Sequence, residues 1–125
     1  MVREKPNETI LQKLLEIEAE SIKTLMNKER GESEDEAILR HPTETIEVNG
    51  VQRLRNRTNA ELIGFKTGEV PNDLVEPKER LQYLKTAFED LDTYCDGVVQ
   101  NYKTLKTFIE DGYNQYFDKN GNLRQ

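Results

Sequence analysis

The apolar residues Leu81, Leu84, Phe88, Leu91, Cys95, Val98, Tyr102, Leu105 and Ile109 follow one another at spacings that alternate between three and four. This is the heptad pattern that keeps one stripe of a helix turned towards a partner. Pro77 stands just before it, and its fixed φ and missing N–H suit the first position of a helix. The spacing predicts one long helix over residues 78–111, about 51 Å from end to end. Gly97, beside the stripe, lowers helix propensity and admits either a close backbone approach or a mild kink.

A second helix is expected over residues 8–30. Asn7 is the natural N-cap, and Ile10, Leu11, Leu14, Leu15, Ile17, Ile22, Leu25 and Met26 recur at helical spacing until Gly31. These side chains cover about half of the helix circumference, wider than a single seam needs, so the helix should meet two neighbours. It spans only about 33 Å, and the longer helix outruns it. Either short elements between them cover the remainder or a second subunit does. Glu18 and Ser21 fall inside the apolar arc. A carboxylate there either fixes register through a partner or, as expected here, sits at the rim where it reaches water.

Between the two helices the chain changes character. Ser33 and Glu36 have the spacing of a capping box, which predicts a short helix over residues 34–40, stopped by Pro42. Asn49-Gly50 tolerates the positive φ angles of a type I′ turn, so residues 45–54 should form a β-hairpin. Val48 then faces Val51, Ile46 faces Arg53, and Glu44 faces Arg55. An isolated two-stranded hairpin is marginal in water, so it should lie on a helix or extend another chain's sheet. Thr58 and Glu61 repeat the capping-box spacing before a short helix over residues 59–65, closed by Gly64 or Gly68. Residues 118–125 complete the chain as a tail.

At 125 residues the chain is expected to be one domain. The fold class is mainly α: an N-terminal helix and a long C-terminal heptad helix packed as a hairpin or bundle, with a small β-hairpin and short helices between them. Charged residues make up 34% and the net charge is −6, so the core must be thin or shared. No stretch approaches the roughly 20 apolar residues of a membrane span, and Met1 to Pro6 lacks the apolar region of a signal peptide. A soluble, cytoplasmic protein with no membrane contact is expected, and the lone Cys95 agrees with a reducing compartment.

Catalytic constellations are missing. His41 is the only histidine and Cys95 the only cysteine. A nucleophile–base pair would have to bring His41 to a residue of the apolar stripe, and a zinc site needs three or four ligands. Asp118-Lys119-Asn120-Gly121-Asn122 opens like a calcium loop, but its glycine comes too early and the bidentate glutamate is missing, so a terminal turn is expected instead. No phosphate-binding glycine loop occurs. The sequence therefore points away from an enzyme, with no cofactor and no metal.

Three classes of function remain. The first is a protein-interaction or assembly component, an adaptor or structural subunit, expected to form a homo-oligomer or larger assembly. Its candidate protein interface is Leu81, Leu84, Phe88, Leu91, Val98, Tyr102, Leu105 and Ile109, with Tyr113, Tyr116 and Phe117 beyond the heptads, where aromatic rings near the terminus would otherwise be exposed. The second is a small acidic inhibitor or regulator that covers a basic surface of another protein. The third is a nucleic-acid-binding accessory protein that uses Arg53, Arg55 and Arg57, which alternate along the second hairpin strand with no acid between Glu47 and Glu61. Nucleic acid is the least expected partner of the three, since three arginines on an acidic chain make a weak electrostatic footprint.

Overall fold

Asn7 caps the first helix as expected: its Oδ1 accepts from the N–H groups of Thr9 and Ile10 at 3.1 and 3.2 Å. A computed structural model describes residues 7–29, 43–92 and 98–124. Its elements, in chain order, are α1 (Glu8–Glu29), β1 (Thr43–Val48), β2 (Val51–Asn56), α2 (Asn59–Gly68), α3 (Pro77–Asp92) and α4 (Val98–Tyr116). The expected short helix at 34–40 lies outside the described residues, as do His41, Cys95 and Gly97.

The wide apolar arc of α1 meets two neighbours, α2 and α4. Leu14, Ile17 and Leu25 are buried, while Leu15 and Met26, at the edge of the arc, stay exposed. Ser21 sits on the buried side and satisfies its hydroxyl locally, donating to the Ile17 carbonyl at 2.8 Å. At the start of α2 the Thr58 hydroxyl accepts from Glu61 N–H at 3.1 Å, the bond that the capping-box spacing anticipates. The helix passes through Gly64 and closes at Gly68.

The single helix expected over residues 78–111 is two helices. Tyr102 Oη donates to the carbonyl of Leu81 at 3.0 Å, and the Tyr102 ring stacks on Phe88 with centroids 4.9 Å apart. In one continuous helix Leu81 and Tyr102 would lie about 31 Å apart along the axis. Instead α3 and α4 pack side by side, and the apolar stripe faces itself. The lengths now match, since α1, α3 and α4 have 22, 16 and 19 residues. Every described residue of the stripe is buried or half-buried within this chain.

Leu84, Phe88, Val98, Leu105 and Ile109 from this pair join Leu14, Leu25, Leu62 and Ile63 in one core. The last residues are folded as well. Phe117 pairs with Leu123 in an isolated bridge, Gly121 takes φ +83°, and Asp118 Oδ1 accepts from the N–H groups of Asn120 and Asn122 at 2.8 and 3.0 Å. Residues 118–124 therefore form a turn held against the bundle.

Candidate protein interface

The hairpin is built as the local rules require. Asn49 and Gly50 have φ of 53° and 79°, the left-handed pair of a type I′ turn. Register follows from that turn: Val48 pairs with Val51, Ile46 with Arg53 and Glu44 with Arg55. The sheet has two strands only, and among the described residues no helix packs along either of them. Val48 and Val51 are 39% and 57% exposed, Ile46 is half-buried, and Arg53 is exposed. At the root of the hairpin the Arg57 guanidinium lies 4.8 Å from the centre of the Phe65 ring of α2, a cation–π contact that ties the base of the hairpin to the bundle.

Backbone groups on the outer edge of β2 are presented in a defined order. Val48 and Val51 close a two-residue turn and exchange their own hydrogen bonds, so the next residues alternate. Gln52, Leu54 and Asn56 therefore turn N–H and C=O outward. Such an edge is a template for another strand.

The seam residues occupy a different place from the one expected. Leu84, Phe88, Val98, Tyr102, Leu105, Ile109, Tyr113 and Phe117 are buried in the core of this chain and are not open to a partner. Leu81 and Leu91 pack against that core and are half-buried. Tyr116 alone of the proposed set is exposed, at 40%. The aromatic end of the chain is not a loose docking tail, because the 118–124 turn covers Phe117.

Glu18 is not at the rim. Its carboxylate is buried opposite Arg80, with Arg80 Nε to Oε1 and Nη2 to Oε2 both at 2.8 Å. Tyr113 Oη donates to Oε1 at 2.8 Å, and Arg80 Nη1 donates to the Leu74 carbonyl at 2.9 Å. The network thus joins α1, α3, α4 and the connection before α3. Burial opposes the charge on Arg80, but the paired bonds and field of Glu18 outweigh it, and the pKa of Arg80 is raised. Burial first, then the negative charge of Glu18, drives the Tyr113 hydroxyl well above its ordinary pKa. In the sequence Arg80 is overshadowed by Leu81, which opens the apolar stripe. The signal was there: Arg80, Leu84 and Phe88 share a face at i, i+4 and i+8.

A second exposed feature is a groove of about 470 Å³ between α1 and α4. Gly112 lies on its floor, where a Cβ would come within 2.5 Å of Ile17 Cγ2, so only glycine permits this helix approach. Glu16, Glu20 and Asp111 line it together with the rings of Phe108 and Tyr116. Each ring already carries a cation from α1: Lys28 Nζ lies 5.0 Å from the Phe108 centroid and Lys13 Nζ 4.5 Å from that of Tyr116.

Among the described residues no group of His, Cys, Asp and Glu could hold a metal ion, and no helix is long and apolar enough to cross a membrane. No protein-family model, curated protein or solved structure matches the chain.

Proposed function

We propose that this protein is a non-enzymatic interaction component, an adaptor or structural subunit of a larger protein assembly, and that it docks through its hairpin. One observation carries the reading. Among the described residues the sheet has two strands, no helix packs along it and Val48 and Val51 are exposed, and such a hairpin is marginal in water until something joins it. Sheet extension is a common mode of protein recognition because main-chain hydrogen bonds provide affinity and alternate side chains provide selectivity. The helical stripe gives less support to a homo-oligomer, since α3 and α4 use it on each other.

The test is site-specific photo-crosslinking in the cells that make the protein. A crosslinking residue at Val51 should yield discrete protein adducts, whereas one at exposed Lys85 on α3 should yield none. Equal adducts from both sites, or none from Val51, would remove the hairpin from the proposal.

A second reading draws on the α1/α4 groove. Its acids and two cation-bearing rings suit a basic surface on another protein, as an acidic regulator would require. Binding of that kind should weaken steeply with salt and with Asp111→Lys.

A further inference from the structure

We infer that the outer edge of β2 receives an extended segment of a partner protein that carries acidic residues at alternate positions. This rests on the docking role proposed for the hairpin and names the chemistry of its occupant. The two edges of the hairpin differ in charge. β1 brings Glu44 and Glu47, whereas β2 and the residue after it bring Arg53, Arg55 and Arg57, and no acid intervenes between Glu47 and Glu61.

Within the ladder Arg55 stands opposite Glu44, but Arg53 stands opposite the apolar Ile46. Arg57 lies over Phe65 at the root. Arg53 is thus an exposed charge without an acid across the ladder. It lies midway along the edge, between the outward-facing backbones of Gln52 and Leu54. A strand added there sets its own alternate residues in register with Val51, Arg53 and Arg55, and acids at the positions in register with the two arginines give opposite-charge pairs along the new ladder.

A second copy of the chain fits less well. Six residues at about 3.3 Å per residue and two strands about 4.8 Å apart give a face of about 200 Å². A stable interface needs about 800 Å² per partner, so stacking two hairpins is insufficient. Pairing β2 with β2 also sets a basic edge against a basic edge. Pairing β2 with β1 of the next copy matches charge but leaves an open end on every new subunit, which generates rings or filaments. Nucleic acid fits less well again: residues 43–56 include no aromatic side chain, so the hairpin offers no ring on which a base can stack.

Amide NMR of the full chain gives the test, with two soluble probe peptides: seven residues of alternating Glu and Val, and the same peptide with Lys for Glu. The acidic peptide should shift and protect the amides of Gln52 and Leu54 while leaving Thr45 and Glu47 on the β1 edge unchanged. The Lys peptide should do neither. Arg53→Glu should weaken the acidic peptide at least ten-fold, and Arg53→Gln several-fold, with the helical circular dichroism of both variants unchanged. No shift at millimolar acidic peptide, or shifts confined to the helices, would overturn the inference. So would stronger perturbation of β2 by a single-stranded oligonucleotide, or hairpin shifts that depend on protein concentration without any peptide. Adducts from Val51 combined with no peptide binding would refute the acidic partner alone, whereas loss of both would refute the docking hairpin as well.

Discussion

Arg80 and Glu18 meet fork to fork between α3 and α1, two 2.8 Å bonds joining side chains that are 0% and 1% exposed. The buried pair is the electrostatic centre of the bundle, with Tyr113 as its third member. Removing one partner leaves the other charged in the interior, which costs about 3–5 kcal/mol. Against the 5–15 kcal/mol typical of a whole domain, that is about a fifth of the total at the least. Arg80→Met and Glu18→Leu should each move the urea unfolding midpoint to clearly lower denaturant. The triple variant Glu18→Leu, Arg80→Met, Tyr113→Phe should lose much less than the sum of the single losses, because no charge or phenol is then stranded. Additive losses would show that the three groups do not act as a unit.

Alkaline pH should expose the same centre and its neighbour. Burial, aided by Glu110 and Glu89, pushes Tyr102 up to about 12, and Tyr113 is raised as well. In the unfolded chain both titrate near 10, so above that pH the unfolded state releases protons first. Stability from these groups is complete below pH 10 and declines as pH rises, for Tyr102 until about 12 and for Tyr113 beyond it. The melting temperature should fall over that window. Tyr113→Phe should be less stable than the parent at neutral pH, by about 1.5–3 kcal/mol for a bond to a charged group, and its melting temperature should fall less steeply above pH 10. Parallel curves would refute the role given to Tyr113.

Two helical glycines should respond in opposite directions to alanine. At Gly112 the new Cβ would lie 2.5 Å from Ile17 Cγ2, so α1 and α4 must separate, and a loss of about 1–3 kcal/mol is expected. At Gly64 the nearest atom is Ile22 Cγ2 at 4.0 Å, ordinary contact, so the better helix propensity of alanine should stabilise by up to about 1 kcal/mol. Chemical denaturation of both variants decides this, and like signs would contradict the packing described.

Gly50→Ala forces a side chain into φ +79°, at a cost of about 1–2 kcal/mol. Because no helix packs along the hairpin among the described residues, the loss should be local. Hydrogen exchange of the hairpin amides should accelerate while the helical melting transition stays in place. A lower helical transition would show that the hairpin is part of the cooperative bundle.

Much of this was legible from local rules. Asn49-Gly50 with alternating residues set the turn and the whole register, and the expected strands at 45–54 were short by two residues at each end. Asn7 and Thr58 marked their helices because capping involves residues no more than three apart. Even so, burial did not follow from type at two positions. Glu18, expected at the rim, and Arg80, a charged residue beside the stripe, are both buried because each finds its partner 62 positions away.

What the sequence by itself determined is which residues share a face: the stripe from Leu81 to Ile109, the arc on α1, and the ladder of the hairpin. What only the tertiary structure decided is what those faces meet. A spacing of three and four is the same for a helix that runs on and for two helices that reverse and pack together, since periodicity records the direction of a side chain about its own axis and carries no information on the direction of the axis. The contact of Tyr102 with Leu81 selects reversal. That choice buries most of the described stripe within this chain, whereas the hairpin, which local chemistry shapes, has no helix packed along it among the described residues.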